Sequence, residues 1–511
     1  MAALWIAVAV ALTLANRGGL TWDGAYYYQP YQDVRGWIGH PSGALSDQGI
    51  RAGWESIHEL PPVTKWIGAL SLCFGGDGWR DLNAMRFVFA LCFSGGLWLM
   101  VLIGRRVSGK KWCWLAPILL LVQPRITGHA AIAATEAPFF LVTMFVAWCA
   151  LRNLGPWKNR LLLAAACGVA LATKVNGVIL IAAVIGWLVL RGILERKRNP
   201  AKDDWLAIAA IIIGAPVVAL ALWPWLWSHP VERIAEYCKF ITEHAHQGLW
   251  YFGKKWNFDG PLAPPSYPFV ISHFTTPISV LVLFWIGIIA GLIRVVRTRH
   301  VKRECLLLAL LIIAPLAASS LPSSPKYDGI RLFYPMFAPA ALLAAAGLRH
   351  VAGLISNHPR RMKIGYAIAA ILIIGAVADG VRPDIDYYNR AASRIDRDSS
   401  VFPFEQTYWG NSVDGEAIAW MNKNLPQNAN IKTLALKEDV FVILQGWGLL
   451  RADLKFAGEP PYDYHLMQNR RGFWGRAEWA IYTSREPIMA WGRGQRGEPL
   501  LYLYDGRPPG E

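Results

Sequence analysis

The chain has 511 residues, of which 54% are hydrophobic, and a formal net charge of +16. This composition is too apolar for a soluble protein of this length and predicts an integral membrane protein. The positive charge would suit a nucleic-acid ligand, but much of it falls in short connections between apolar stretches, where basic residues set topology and face anionic lipid. We therefore expect membrane lipids as partners and no nucleic acid.

Apolar stretches follow one another along most of the chain. A membrane-spanning helix needs about 20 apolar residues, and fewer where neighbouring helices shield its ends. The predicted eleven spans are residues 2–16, 84–104, 112–123, 131–151, 161–173, 177–191, 205–227, 277–293, 304–321, 332–348 and 364–381. The first stretch lacks the basic flank of a signal peptide, so we expect it to be retained as a span.

The connections between these spans alternate in character. Short basic connections are expected in the cytoplasm: residues 105–111, 152–160, 191–202, 294–303 and 349–363. The intervening connections carry acids, histidines and prolines and are expected outside the cytoplasm. They include two long segments, residues 17–83 and 228–276. Within the first, residues 62–75 are moderately apolar, and we expect them to lie along the membrane surface.

The composition changes near residue 382, beyond which charge is ordinary and long apolar runs stop. Residues 1–381 are therefore predicted to form a polytopic transmembrane domain, and residues 382–511 a C-terminal extracytoplasmic domain. Short β-like segments in this second region are residues 431–436, 441–444, 479–483 and 500–504. The predicted fold class is a membrane all-α protein of about 11 transmembrane helices with a small C-terminal α/β domain.

Asp23 directly follows the first span, within the segment WDGAYY (22–27). A carboxylate at the membrane edge among aromatic rings should have a raised pKa, which suits a general base. The rings of Tyr26 and Tyr27 could stack on a sugar. An acid that caps a surface helix fits the same pattern, so both interpretations stay open.

The segment HELPPVTK (58–65) places His58 and Glu59 before a double proline and Lys65 after it. Lys65 is predicted on the first turn of a helix, near free backbone N–H groups. This combination favours phosphate binding. A proline-started interfacial helix with a snorkelling lysine is the alternative.

Residues 123–138 contain Arg125, His129 and Glu136. Glu136 follows His129 by seven residues, so the two side chains would share a helical face. A carboxylate in the outer half of a span needs a partner, and Arg125, His129 or a metal could serve. A purely structural ion pair is the alternative.

Further polar residues lie at the outer ends of other predicted spans. Lys174 stands in the turn between two spans, and Lys326 and Arg331 flank Asp328 where anionic headgroups would meet them. A snorkelling terminus is the alternative for Lys174. His244 and His246 form an HxH pair that could bind a divalent metal, but this is weak evidence, and no metal is assigned.

Sorted by chemistry, these residues form three groups. The candidate catalytic acids and bases are Asp23, Glu59 and Glu136. The candidate phosphate-binding residues are Lys65, Arg125, Lys174, Lys326 and Arg331. The candidate sugar- or acceptor-binding residues are Tyr26, Tyr27, His58, His129, His244, His246, Tyr251 and Asp328. This set lacks the Asp-x-Asp pair of nucleotide-sugar sites, so a lipid-linked phosphate donor fits it better.

A family resemblance rests on the motifs WDGAYY, HELPPVTK, PRITGHAAIAATEAP, ATKVNG, HAHQGLWYFG…PPSYP and KYDGIRLFYP, in this order. Residues 1 to about 415 resemble the membrane glycosyltransferases of the GT-C fold, near the protein O-mannosyltransferase and lipid A aminoarabinose transferase group (glycosyltransferase family 39). The resemblance implies sugar transfer from a polyprenyl-phosphate donor to a protein or lipid acceptor at the outer face. It also implies Asp23 as the catalytic residue and Glu59 as the acid before the double proline.

Two departures from the family pattern bear on the site. Gly24 follows Asp23 where the family often has Asp-Glu, and Leu60 stands where some members have a lysine. The second departure moves the expected phosphate binding to the cations named above. One alternative is a transporter or flippase of lipid-linked sugars, but the acids gather at one face and no repeat is seen. The other is an inactive assembly protein of the same fold.

Overall fold

The computed structural model describes residues 2–194, 200–243, 246–299, 301–356, 384–395, 399 and 401–507, except 17, 41, 77, 259 and 457, with isolated positions between 360 and 375. The helices up to residue 171 are α1 (Ala2–Ala15), α2 (Trp22–Gly39), α3 (Asp47–Trp54), α4 (Pro62–Leu72), α5 (Trp79–Val107), α6 (Leu115–Leu121), α7 (Pro124–Ala130), α8 (Glu136–Ala150) and α9 (Trp157–Leu171). Those that follow are α10 (Gly177–Leu194), α11 (Pro200–Leu222), α12 (Pro230–Thr242), α13 (Tyr267–Phe274), α14 (Ile278–Thr298), α15 (Arg303–Ser320) and α16 (Phe337–Ser356).

Within the described residues, five helices are long and apolar enough to cross a membrane. They are Trp79–Val107, Lys202–Leu222, Ile278–Thr298, Arg303–Ser320 and Tyr334–Leu354. Shorter apolar helices at Ala2–Ala15, Glu136–Ala150 and Gly177–Arg191 coincide with other predicted spans. The predicted span at 364–381 is outside the described part of the chain.

Two predicted spans differ from the helices that form. The stretch 112–123 contains only the seven-residue helix α6, because Pro124 starts the separate helix α7. The stretch 131–151 becomes helical only at Glu136, after a turn that follows α7. The short α7 and this turn bring polar residues to the outer end of α8, where the candidate site lies.

The first outer segment folds into the helices α2, α3 and α4. The hydroxyl of Thr21 accepts a hydrogen bond from the backbone N–H of Gly24 and caps the start of α2. Helices α2 and α4 meet closely at Gly68, where an added Cβ would lie 2.3 Å from the Tyr31 ring. This contact packs α2, whose first turn carries Asp23, directly against α4.

The second outer segment contains α12, α13 and a two-stranded antiparallel ribbon. Strands β1 (Leu249–Tyr251) and β2 (Lys254–Trp256) pair with Tyr251 opposite Lys254. Tyr251 also bridges to Phe404 of the C-terminal region. The ribbon thus joins the second outer segment to the end of the chain.

The C-terminal region contains a four-stranded sheet in the order β3-β4-β6-β5. Its strands are β3 (Ile431–Leu434), β4 (Tyr464–Gln468), β5 (Met489–Trp491) and β6 (Leu501–Asp505), and its helices are Gly415–Asn424, Glu438–Gly446 and Arg476–Ser484. Strands β3 and β4 are parallel, and the other pairs are antiparallel. The predicted small C-terminal sheet is confirmed.

Two of the four predicted strand segments are helical. Residues 441–444 belong to the helix Glu438–Gly446, because Val440, Phe441 and Leu444 share one buried face at helical spacing. Residues 479–483 belong to the helix Arg476–Ser484, whose Glu478 carboxylate accepts from the backbone N–H of Gly475 at 2.8 Å. Short apolar runs do not distinguish helix from strand, which explains both errors.

Candidate active site

Arg331 is the centre of the candidate site, in the turn before α16. Its guanidinium donates to the Asp23 carboxylate, to Oε1 of Glu136 at 3.1 Å and to Oδ2 of Asp328 at 3.1 Å. The Trp409 ring lies 4.2 Å from the guanidinium carbon. Burial alone would lower the pKa of Arg331, but the three carboxylates together hold it well above its usual value.

Glu136 connects this cation to a second one. Its Oε1 also accepts from Nζ of Lys174 at 2.7 Å, and the Glu136 side chain is only 1% exposed. The sequence predicted that this carboxylate needs a partner. Among the described residues its ion-pair partners are Lys174 and Arg331, not Arg125 or His129.

Asp328 connects the turn before α16 to the C-terminal region. It adopts a left-handed backbone conformation with φ 51°. Its Oδ1 accepts from Nη2 of Arg470 at 2.9 Å while its Oδ2 binds Arg331. The ion pairs thus run from Lys174 through Glu136, Arg331 and Asp328 to Arg470, and Asp23 joins this series at Arg331.

These ion pairs border a cavity of about 480 Å³. Its acidic lining residues are Asp23, Glu59 and Asp328, and its basic ones are Lys174, Arg331, Lys437 and Arg470. Aromatic rings of Trp22, Tyr26 and Tyr27 form part of its wall. The mixture of acids, cations and aromatic rings is suited to holding an anionic, sugar-like molecule.

Asp23 reaches this cavity from the first turn of α2. Burial raises the pKa of its carboxyl, and the adjacent Arg331 guanidinium partly opposes that rise. This direction agrees with the raised pKa expected from the sequence. A carboxylate with a raised pKa, held by one ion pair at the edge of a cavity, is chemically able to accept a proton.

Glu59 lines the same cavity. Its Oε1 accepts from the Tyr26 hydroxyl at 3.2 Å. The ammonium group of Lys437 lies 4.6 Å from the centre of the Tyr26 ring. The structure therefore brings the predicted residues Asp23, Glu59 and Tyr26 into one site.

Two predicted phosphate-binding lysines lie elsewhere. Lys65 is 0% exposed and donates to the backbone carbonyls of Trp54 and Ser56 at 3.2 and 2.8 Å. Burial lowers the pKa of its amine to about 7. Lys326 donates to the carbonyls of Leu321 and Ser324, just beyond the end of α15. Both ammonium groups hold backbone turns, and neither residue lines the cavity.

Arg125 and His129 form a buried layer beside the cavity. The Arg125 guanidinium carbon lies 4.4 Å from the centre of the Tyr388 ring and 5.6 Å from that of Tyr408. Nε2 of His129 lies 2.8 Å from the Tyr408 hydroxyl. Burial lowers the pKa of His129 to about 3, so its ring is neutral at pH 7. Neither side chain lines the cavity.

The remaining predicted sugar- or acceptor-binding residues are dispersed. His58 stacks on Trp225 at 4.6 Å and lies 3.0 Å from the carboxylate of Glu236. Tyr251 is 1% exposed and packs among aromatic rings that include Phe404. His246 is half-buried and does not line the cavity. His244 lies outside the described residues.

Metal binding receives no direct support from side-chain geometry. Across the part of the chain that the structure describes, no group of three or more His, Cys, Asp or Glu residues is placed to hold a metal ion.

The sequence argument missed the contribution of the C-terminal region. Trp409, Lys437 and Arg470 all line the cavity, although they follow the last predicted span. The sequence signal for Arg470 was the polar run Gln468–Arg471, with two adjacent arginines directly after the apolar residues Leu466 and Met467. The structure buries this run completely. Buried adjacent arginines are rare without a specific partner.

An apolar groove of about 370 Å³ adjoins the cavity. It lies between α10, α11 and α12. The groove and the cavity share three wall residues, Val175, Tyr237 and Ile241. An amphiphilic molecule could therefore place a hydrocarbon chain in the groove and a charged headgroup in the cavity.

Comparison with known proteins identifies the fold. Residues 59–223 match the family model of the dolichyl-phosphate-mannose-protein mannosyltransferases, which covers less than half of the chain. No curated protein sequence matches the chain. The crystal structure of ArnT from Cupriavidus metallidurans in the apo state is similar to 99% of this chain over 98% of its own, with 15% identity and a TM-score of 0.53.

The ArnT structure bound to undecaprenyl phosphate covers the same shares of the two chains, with 14% identity and a TM-score of 0.50. Similarity over nearly the whole of both chains shows that this protein has the GT-C fold. The predicted resemblance is confirmed, as is the fold class of a mostly helical membrane protein with a small C-terminal sheet. The apolar helices and the fold together make it an integral membrane protein.

Proposed function

We propose that this protein is an inverting glycosyltransferase that moves a hexose or pentose from a polyprenyl-phosphate donor to a protein or lipid acceptor. The observation that carries the proposal is the position of Asp23. Its carboxylate lies beside Arg331 and Lys174, in a cavity that continues into an apolar groove. Such a site offers a base, a set of cations and a hydrocarbon channel together.

The groove and the cavity suit the two ends of the donor. An isoprenoid chain is apolar and would be stabilised in the groove, whose wall includes Pro216, Val217 and Leu220. Its phosphate would then reach the cavity near Lys174 and Arg331, which supply positive charge. For a bacterial chain, undecaprenyl phosphate is the donor lipid that the resemblance implies.

Asp23 would act as the general base. A hydroxyl or amine of the acceptor attacks the anomeric carbon, its proton passes to the Asp23 carboxylate, and the bond from that carbon to the phosphate oxygen breaks. The phosphate leaves with the bonding electron pair, so the products are the glycosylated acceptor and the polyprenyl phosphate. Attack from the face opposite the phosphate inverts the anomeric configuration.

Proton transfer would also change the electrostatics around Arg331. The guanidinium donates to three carboxylates, one of which is Asp23. When Asp23 accepts a proton, it becomes neutral, and its attraction for Arg331 falls. The cation is then better able to stabilise the negative charge that develops on the leaving phosphate.

The topology expected from the sequence supports chemistry outside the cytoplasm. The basic connections are expected inside, and the cavity lies at the opposite ends of the helices, beside Asp23, Lys174 and Arg331. The acceptor would therefore be reached after export, at the outer face of the membrane.

Mass spectrometry of outer-face glycans and envelope lipids from cells with and without the gene tests the proposal. We expect one glycan or glycolipid to lose a sugar of fixed mass when the gene is deleted. Wild-type protein should restore that sugar, and the Asp23→Asn variant should not. Identical glycan and lipid profiles in the two strains would contradict the proposal, as would full restoration by Asp23→Asn.

A further inference from the structure

Arg470 has hydrogen-bonding capacity that the folded protein does not use. Nη2 of Arg470 donates to Asp328, whereas its Nε and Nη1 have no hydrogen-bond partner within the described structure. The residue is 1% exposed, so bulk water does not satisfy these donors. Leaving a buried charged group partly unsatisfied is costly, and such a group is expected to have a ligand.

The guanidinium of Arg470 is held in a fixed plane at the cavity. Its central carbon lies 4.3 Å from the centre of the Trp22 ring and 3.7 Å from that of Phe473. Trp22 directly precedes Asp23, so the ring that contacts Arg470 and the proposed base belong to the same turn of α2. Stacking restricts the rotation of the guanidinium and prepares it for a planar, two-point contact with an anion.

The other cations of the cluster are more fully engaged. Arg331 uses Nε, Nη1 and Nη2 on three different carboxylates. Lys174 binds Glu136 as a point charge and cannot present a fork of parallel N–H groups. Arg470 combines complete burial with two unused nitrogen atoms and a position on the cavity wall.

We propose that Arg470 donates its free N–H groups to phosphate oxygens of the polyprenyl-phosphate donor. This inference deepens the proposed function and rests on it. It makes the C-terminal region part of the donor site, since Arg470 lies two residues after the end of β4. Asp328 orients Arg470 and Arg331 toward the same phosphate, because it binds one guanidinium with each of its oxygens.

Arg471 provides a matched control. It is equally buried at 1% exposure, directly follows Arg470 and also has Nε and Nη1 without a hydrogen-bond partner in the described structure. It differs from Arg470 because it pairs with Glu498 at 2.8 Å and does not line the cavity. The same substitution at these two positions therefore alters the same side chain in the same fold. Only the change at Arg470 should affect the binding of a molecule in the cavity.

The test is calorimetric titration of the full-length protein in nanodiscs with polyprenyl phosphate, with polyprenol of equal chain length, and with inorganic phosphate. We expect Arg470→Gln to weaken polyprenyl phosphate binding about ten- to a hundredfold. Polyprenol binding should stay unchanged, and Arg470→Lys should be intermediate. Arg471→Lys should bind polyprenyl phosphate as wild type does. Thermal unfolding without ligand shows which variants are folded. If Arg470→Gln does not fold, Arg470→Lys serves as the test.

Three results would overturn the proposal. Wild-type affinity for polyprenyl phosphate in folded Arg470 variants would assign Arg470 a structural role. Equal losses in the Arg470→Lys and Arg471→Lys variants would show a general effect on the fold. A loss seen with inorganic phosphate but not with polyprenyl phosphate would place the bound phosphate on another molecule, such as the acceptor. If wild-type protein itself binds no polyprenyl phosphate, the proposed function fails as well.

Discussion

The guanidinium of Arg331 donates to the carboxylate of Asp23, although 308 residues separate them in the sequence. The contact joins the start of the first outer helix to the turn before α16. It orients the carboxylate and keeps a positive charge next to it. The proposed chemistry depends on both effects, because the base must be ionised before the reaction and the leaving phosphate must be stabilised during it.

The variant Asp23→Asn tests the proposed base. The amide keeps the size of the side chain but cannot accept the proton, and loss of a general base typically lowers turnover by about 10²–10⁴-fold. We expect a fall in kcat of this order in protein that thermal unfolding shows to be folded. The control is Asp33→Asn on the same helix, whose side chain accepts from Gln29 outside the cavity. Equal turnover in wild type and Asp23→Asn would exclude Asp23 as the base.

The Glu136 cluster should contribute strongly to stability. Removing one member of a buried ion pair leaves an uncompensated charge and typically costs about 3–5 kcal/mol. We expect Glu136→Gln to lower the free energy of unfolding in detergent by about that amount. The double variant Glu136→Gln with Lys174→Met should recover part of the loss.

The control for this measurement is Asp203→Asn. Asp203 pairs with Arg160 at 3.0 Å, but its side chain is 45% exposed. An exposed pair contributes about 1 kcal/mol or less. Equal destabilisation by Glu136→Gln and Asp203→Asn would show that burial does not strengthen the Glu136 cluster.

Glu405 should make stability depend on pH. Burial raises the pKa of this carboxyl from its ordinary 4.5 to about 7 in the folded protein. Between these two values the folded state binds more protons than the unfolded state, so the contribution of Glu405 to stability is present below pH 4.5 and is lost as pH rises through 7.

Thermal unfolding of wild type and Glu405→Gln between pH 4.5 and 8 measures this effect. The melting temperature of wild type should fall relative to that of the variant as pH rises. The control Glu416→Gln removes an exposed carboxyl, so its melting temperature should depend on pH as that of wild type does. Parallel profiles for wild type and Glu405→Gln would refute the assignment.

The proposed topology predicts which positions a membrane-impermeant maleimide can reach in intact cells. Gln427 and Arg297 are both exposed in the folded chain. We expect labelling of Gln427→Cys and protection of Arg297→Cys, with the exposed native residues Cys73 and Cys238 replaced by serine. Labelling of Arg297→Cys alone would reverse the orientation and place the cavity on the cytoplasmic side.

The GT-C fold could be predicted from the sequence because ordered motifs and span boundaries are local patterns. The same patterns identified Asp23, Glu59 and Arg331 as candidate site residues. The sequence could not show which of the candidate cations lie at the cavity. Lys65 and Lys174 both stand at outer helix ends, but the first binds backbone carbonyls and the second binds Glu136. Their partners come from distant segments, and span boundaries do not reveal such pairings.

The C-terminal region illustrates the same limit. Its short apolar runs fit either a helix or a strand, so two of its segments were assigned to the wrong type. Arg470 enters the cavity because β4 ends beside Trp22, and that contact depends on how the C-terminal region packs on the helices. A residue's position after the last span therefore does not indicate its distance from the site.

Product analysis of a reconstituted reaction tests the central claim most directly. Purified protein in nanodiscs is supplied with isotopically labelled polyprenyl-phosphate sugars and an envelope extract as the source of acceptor, and free polyprenyl phosphate and labelled acceptor are measured. We predict that wild type releases polyprenyl phosphate and labels an acceptor in equal amounts, and that Asp23→Asn does neither above background. Wild type that binds the donor but forms neither product with any sugar tested would contradict the account, as would Asp23→Asn with wild-type product formation.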